Sequence, residues 1–151
     1  MKTPDFSRFL TQYLTHYLPV QRNLSSNTIR SYRDTFKLLL IFCRDEKGLN
    51  IAKLNLAKLD KKCIEDFLLW LTNTRGSSPS TYNQRLCAIH AFFAYVMTEE
   101  PAYMEQCILI LKIPSMVSPA PLAQYLTPEN LKHLLSMPDT STPRGRRDLV
   151  L

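Results

Sequence analysis

Apolar residues recur every three or four positions along most of this 151-residue chain, and this spacing constrains the fold more than any other feature. Such stripes cover roughly residues 4–17, 26–48, 60–76 and 78–101, and a shorter one covers 104–111. Spacings of three and four place side chains on one face of an α-helix. Only three glycines and few alternating β-branched residues are present. The sequence therefore predicts an all-α fold, a bundle of four to five helices.

Residues with strong helix-end preferences define where these helices should begin and end. Pro19 is predicted to end the first helix, because proline lacks an N–H and disrupts a helix interior. Ser26 is the predicted N-terminal cap of the second helix, and Gly48 is the predicted left-handed residue after its last turn. Asp60 should begin the third helix, and Pro101 should close the fourth.

The composition changes at residue 112, where prolines and serines replace the apolar stripes up to residue 121. Such a stretch should be extended, which is typical of an interdomain linker. Thr127-Pro128-Glu129 has the pattern of a new helix start, and the Thr142-Pro143 helix that follows has no stop signal before the last residue. We therefore predict a first domain over 1–112, a linker over 113–126, and the beginning of a second, truncated domain over 127–151.

The charge balance favours a polyanionic partner. Nineteen Lys and Arg against thirteen Asp and Glu give a formal net charge of +6. Apolar runs such as Leu38–Cys43 are far shorter than the ~20 residues that a membrane span needs, and the N-terminus lacks a secretory pattern. The sequence therefore predicts a cytoplasmic protein without a membrane partner.

No motif in the chain predicts catalysis, a metal site or a cofactor. The three histidines are far apart, and the Gly-rich and zinc-type motifs of common enzyme classes are absent from the sequence. The cysteines form no CxxC pair and lie in apolar stretches, so we expect reduced thiols within the core. They are Cys43, Cys63, Cys87 and Cys107.

Two helices begin alike, 53 positions apart, at Ser25–Thr28 and Ser78–Thr81. Beyond the first start, Arg30, Arg33 and Lys37 share one face opposite the apolar stripe. Beyond the second start, the positions off the stripe hold amide, guanidinium and imidazole side chains. Such groups at helix N-termini suit docking in the DNA major groove. Serine and threonine are also ordinary caps, and a basic stripe is often only solvated, so both interpretations stay open at this point.

The order of motifs resembles the tyrosine recombinases, the phage integrase family. Ser26–Lys37 and the residues beyond it resemble the family helix S-x-x-T-x-x-x-Y-x-x-x-L/F-x-x-F. Ser80–Tyr95 is similar to the family's second characteristic helix, S-x-x-T-x-N-x-x-L-x-x-L/I-x-x-F-F-x-Y, with Asn83 in place. A Pro-rich linker, Leu126–Leu131 and Arg146–Leu151 follow in the family's order. The resemblance covers roughly residues 5 to 151.

The resemblance implies a SAM-like core-binding domain, an orthogonal helical bundle that holds one face of a double-stranded DNA recombination half-site. The catalytic domain of the family cleaves and rejoins DNA through a 3′-phosphotyrosine without a metal or cofactor. The catalytic residues would lie beyond Leu151, so the parent protein would be the enzyme and this part of it would not. The resemblance further implies a monomer for this part and a tetramer in the synapse for the whole protein.

The same resemblance implies a set of DNA-facing side chains, all of which helical periodicity separately places off the core. The alternative function is a helical adaptor domain that binds another protein and has a solvated basic face. The predicted DNA-binding residues are Asn27, Thr28, Arg30, Ser31, Arg33, Lys37, Ser80, Thr81, Asn83, Gln84, Arg85 and His90.

Overall fold

A computed structural model describes residues 5–117, 127–136 and 141 of the chain. Residues 1–118 and 119–151 form two compact units. Every regular element of the described residues is helical, which confirms the predicted all-α fold. The α-helices of the first unit are α1 Asp5–Gln12, α2 Ser26–Asp45, α3 Lys61–Asn73, α4 Pro79–Glu99 and α5 Met104–Leu111. A π-helix, Tyr13–Gln21, continues α1, and short 3₁₀ turns span Ile51–Lys53, Leu56–Lys58 and Pro101–Tyr103.

Serine hydroxyls cap both of the helices that begin alike. The Thr28 N–H donates to Ser25 Oγ at 3.3 Å, and the Thr81 N–H donates to Ser78 Oγ at 3.2 Å. The prediction of Ser26 as the cap of α2 is therefore wrong by one position. Ser25 has the extended backbone that a cap requires, whereas Ser26 is already helical.

Both α2 and α3 end at a glycine with a left-handed backbone. Gly48 has φ +61° and Gly76 has φ +64°. The Leu49 N–H donates to the Cys43 carbonyl at 2.9 Å, and the equivalent bond after α3 measures 3.0 Å. Each of these bonds reaches six residues back across the left-handed glycine, a position that favours glycine because a Cβ is strained at this φ. The predicted end of the second helix at Gly48 is confirmed.

The first helix does not end at Pro19, contrary to the prediction. The turns widen into a π-helix that contains Pro19, and the Arg22 N–H reaches the Tyr17 carbonyl at 2.9 Å, five residues back. Tyr13 and Leu18 are both buried. An α-helix would place residues five apart about 140° from each other, and the wider turn brings both toward the core. Tertiary packing therefore continues the helical chain past a residue that usually ends it.

One aromatic cluster forms the centre of the first unit. The Phe92 ring lies within 6 Å of four other rings, with centroid distances of 5.9, 5.3, 5.0 and 5.4 Å to Phe6, Tyr13, Phe36 and Phe93. Three of these contacts are edge-on to Phe92 from α1, the π-helix and α2, an arrangement that aromatic rings prefer. The core therefore joins three elements to α4.

The cysteines follow the prediction with one exception. Cys43, Cys63 and Cys107 are free and buried in the core, whereas Cys87 is free and exposed. Cys87 lies on α4 between buried Leu86 and buried Ala88, so its apolar sequence neighbours do not set its own burial. The core prediction for Cys87 is therefore wrong.

A polar cluster connects the beginning of α1 with the segment before α3 and with α5. The Asp5 carboxylate accepts hydrogen bonds from the Tyr103 hydroxyl and, at 2.8 Å, from the Leu56 N–H. Gln106 of α5 donates to the carbonyls of Leu56 and Leu59 at 2.7 and 2.9 Å. These bonds pair backbone groups around the short 3₁₀ turn Leu56–Lys58 with side chains of α1 and α5.

The second unit contributes one described helix, α6 Pro128–Ser136. Thr127 Oγ1 accepts the Asn130 N–H at 3.3 Å, as the Thr-Pro-Glu pattern predicts. The helix predicted from Thr142 lies outside the described residues. Within the described part of the chain, no helix has the length and apolar content that crossing a bilayer requires.

Candidate nucleic-acid interface

The bundle brings the two similar helix starts into contact. Helix α2 packs against α4, and Gln84 Nε2 donates to Ser31 Oγ at 3.0 Å. These two residues are 53 positions apart, the same offset that relates Thr28 to Thr81. The second turns of α2 and α4 therefore lie side by side and carry equivalent positions at their contact.

Arg85 also joins the two helices, although the sequence predicts that it faces DNA. Its Nη1 donates to the Ser31 carbonyl at 3.3 Å and to Thr35 Oγ1 at 3.1 Å. Thr35 is fully buried, and the Arg85 side chain is half-buried. The Arg85 Nε is buried without a hydrogen-bond partner among the described residues. Arg85 therefore lies across α4 and α2, with its charge hydrogen-bonded within the protein.

Asn83 forms hydrogen bonds with the segment that follows α5. Its Nδ2 donates to the Met116 carbonyl, and its Oδ1 accepts the Met116 N–H, both at 2.8 Å. The two bonds pair both the N–H and the carbonyl of Met116, much as a neighbouring β-strand pairs a residue of an extended chain. Ile113, just before this contact, is buried. Met116, within the predicted linker, thus lies against the N-terminal part of α4.

His90 connects α4 to α5. Its Nε2 lies 3.1 Å from the Ile110 carbonyl, and the ring is half-buried. Burial lowers the pKa of His90, and the hydrogen bond to the Ile110 carbonyl opposes this effect. The neutral ring donates its Nε2 proton to that carbonyl. His90 therefore has a structural partner well beyond the helix start.

The remaining predicted residues include exposed side chains and cap hydroxyls. Thr28 and Thr81 Oγ1 lie 3.0 and 3.2 Å from the cap hydroxyls of Ser25 and Ser78. Lys37 Nζ is 3.9 Å from Asp34 Oδ1, and both side chains are largely exposed. The exposed residues of the predicted set are Asn27, Arg30, Arg33, Lys37, Ser80 and Gln84.

Sequence reasoning missed the partners that hold this surface together. Thr35 is a buried polar residue on the apolar face of α2. The sequence around it gives no indication of its hydrogen bond with Arg85. Met116 accepts and donates through its backbone, which no side-chain pattern reveals. The shared 53-residue offset was the one signal that related the two helix starts. Among residues 5–117, 127–136 and 141, no group of three or more His, Cys, Asp or Glu is placed to hold a metal ion.

Comparison with known proteins gives a consistent set of similarities. Residues 10–100 match the family model described as the phage integrase, N-terminal SAM-like domain. Two Sinorhizobium fredii proteins named as integrase/recombinases are 38% and 34% identical, over 97% and 92% of this chain and 44% and 50% of their own lengths. The tyrosine recombinase XerD of Listeria monocytogenes is 28% identical over 94% of this chain and 45% of its own length. The chain spans about half the length of these curated relatives. No solved structure matches it significantly.

Proposed function

Because the chain belongs to the phage integrase family and carries the N-terminal SAM-like domain of a tyrosine recombinase, we propose that its helical bundle binds one face of a DNA recombination half-site. The observation that carries this proposal is the contact between the N-terminal parts of α2 and α4 through Ser31 and Gln84, in the second turn of each helix, beside exposed cations. Two adjacent helix N-termini direct unpaired N–H groups and positive dipole ends toward one surface. Phosphate groups and base edges are suitable ligands for that surface.

Three cations on α2 supply the electrostatic part of the binding. Arg30, Arg33 and Lys37 are exposed and follow one another at spacings of three and four. Arg85 is already hydrogen-bonded to α2, so we do not count it as a phosphate ligand. With about −0.9 per phosphate contact, three contacts give a slope of log K against log salt of about −2.7.

The activity of the longer protein is part of the same proposal. The relatives are named as recombinases and are about twice as long as this chain. We propose that this domain positions DNA for strand cleavage and rejoining through a 3′-phosphotyrosine formed outside residues 1–151. The longer protein would act in the cytoplasm as a tetramer on paired DNA sites, with this domain clamping one face of each half-site.

Charge reversal tests the DNA-binding surface. The variant carries Arg30→Glu, Arg33→Glu and Lys37→Glu, and fluorescence anisotropy follows its binding to a mixed-sequence duplex of about 30 base pairs over a salt series. The matched control reverses three other exposed lysines, Lys53, Lys58 and Lys112, and changes the net charge equally. We expect the salt slope to approach zero in the first variant and to persist in the control. Equal slopes in both variants would contradict the placement of the DNA surface.

Exposed apolar side chains on α5 favour the second candidate, a helical adaptor that binds another protein. Met104, Ile108 and Leu109 are 46%, 40% and 44% exposed. An adaptor predicts that the charge-reversed variant and the unchanged chain bind duplex DNA equally weakly. The same anisotropy series therefore separates the two functions.

A further inference from the structure

A cavity of about 360 Å³ lies between the π-helix, α2 and α4, and its lining includes none of the side chains proposed to contact DNA. Ala91 and Ala94 of α4 line it, and these small side chains leave space opposite the aromatic wall. Its volume is within the range of small-molecule sites. The π-helix contributes one wall, and π-helical turns occur frequently at functional sites.

Four tyrosines line this cavity, Tyr13, Tyr17, Tyr32 and Tyr95. The ring centroids of Tyr13 and Tyr17 are 5.6 Å apart, and those of Tyr17 and Tyr95 are 4.5 Å apart. Tyr17 and Tyr32 are only partly buried, so part of each side chain remains accessible to solvent. Such a wall is suited to stacking against another planar ring.

Two of these tyrosines present polar groups that the fold leaves unpaired. Tyr13 is fully buried and Tyr95 is 3% exposed, and neither hydroxyl has a hydrogen-bond partner among the described residues. Native proteins pair most buried polar groups, so each exception calls for an explanation. Burial raises the pKa of Tyr13, with smaller contributions from Tyr32 and Tyr17, while Arg22 lowers it. The Tyr13 hydroxyl therefore stays protonated, and it lies behind the cavity wall without accessible surface of its own.

Arg22 supplies the positive charge of the cavity lining and is the one charged side chain among the described residues that line it. Glu99 and Arg8 lie outside the lining, and they act in opposite directions on the pKa of Tyr95. Arg22 is exposed at the end of the π-helix, where its guanidinium can reach a ligand at the mouth. A guanidinium binds a carboxylate through two parallel hydrogen bonds.

From this combination of an aromatic wall and a single guanidinium, we propose that the cavity binds a small planar aromatic carboxylate. The ring packs against the tyrosine faces over Ala91 and Ala94. The carboxylate accepts hydrogen bonds from Arg22. The lining residues differ from those proposed to contact DNA, although Tyr32 lies between Ser31 and Arg33 on α2.

Titration of the 151-residue chain with defined acids tests the proposal. Benzoate and naphthalene-2-carboxylate are added while ¹H–¹³C spectra follow the methyl groups of Ala91, Ala94 and Met97, which line the cavity. For ligands of about ten non-hydrogen atoms we expect a Kd of about 1 mM or below. Cyclohexanecarboxylate has the same charge without a π face, and benzamide has the ring without the charge. Both should bind at least about tenfold more weakly.

A variant assigns the polar contact. Arg22→Gln should weaken the binding of naphthalene-2-carboxylate at least about tenfold. Arg44→Gln, at an exposed arginine outside the cavity, should leave Kd unchanged. Unchanged methyl resonances at about 10 mM acid would overturn the proposal. Equal binding of cyclohexanecarboxylate, or equal affinity in the Arg22→Gln protein, would also overturn it.

Discussion

Replacing Arg85 by methionine separates a structural role of this residue from a DNA-binding one. The sequence places Arg30 and Arg85 in the same category, as cations near the start of a helix. In the structure Arg30 is exposed, whereas Arg85 Nη1 donates to the Ser31 carbonyl and to Thr35 Oγ1. Methionine retains an apolar stem of similar length and removes the charge and both hydrogen bonds. We expect Arg85→Met to lower the free energy of unfolding with little effect on DNA binding.

The magnitude follows from the contacts. Two hydrogen bonds from a charged donor, at 3.3 and 3.1 Å, contribute about 1.5 kcal/mol each at the lower end of the usual range. The Arg85 Nε is buried without a partner among the described residues, and this costs about 1–2 kcal/mol that the substitution removes. The Thr35 hydroxyl keeps its bond to the Ser31 carbonyl at 3.1 Å. The net loss is therefore about 1–2 kcal/mol.

Urea unfolding followed through Trp70, the single tryptophan, measures this loss within the first unit. With a slope of about 2 kcal/mol per M, the unfolding midpoint should fall by about 0.5–1 M. Arg30→Met is the matched control, and an exposed substitution of this kind should change the free energy of unfolding by less than about 0.5 kcal/mol. The DNA salt slope should show the opposite pattern, with a decrease of about 0.9 for Arg30→Met and none for Arg85→Met.

The reasoning would be refuted if Arg85→Met left the urea unfolding midpoint unchanged and reduced the salt slope of DNA binding as much as Arg30→Met does. Arg85 would then contact phosphate and contribute nothing to the packing of α4 against α2. Arg85→Lys supplies a further comparison, because lysine keeps the charge without the planar guanidinium. It should recover less than half of the lost stability.

Three further predictions concern other polar contacts. Asn83→Ala should raise the hydrogen-exchange rate of the Met116 amide about tenfold, because that N–H loses its Oδ1 acceptor. Unchanged protection of the Met116 amide would contradict the hydrogen bond between Asn83 and Met116. Burial lowers the pKa of His90, so the stability due to its neutral form is present above about pH 6.5 and decreases as pH falls through the folded pKa. His90→Gln should therefore reduce the drop in unfolding free energy between about pH 7 and pH 5, and an identical drop would exclude this cause. Hydrogen bonding to Asp5 raises the pKa of Tyr103 to about 12, and in Asp5→Asn absorbance titration should place it nearer 10.

The helices could be predicted closely from the sequence because their signals are local. The fifth helix was expected over about 104–111 and is found at Met104–Leu111, and Asp60 caps α3 as expected. Caps, apolar spacing and C-terminal glycines act within a few residues of one another, so they can be recognised without the fold. The π-helix is different, since the packing of Tyr13 and Leu18 in the core overrides the usual effect of Pro19.

The sequence by itself determined that this protein is a helical bundle of the phage integrase family, with two similar helix starts and a basic stripe on α2. Only the tertiary structure decided which polar side chains remain available on that surface. Asn83, Arg85 and His90 find backbone or hydroxyl partners 33, 50 and 20 residues away, whereas Arg30 and Arg33 stay exposed. The physical reason is that periodicity sets the face on which a side chain lies, while its hydrogen-bond partners depend on how distant segments pack.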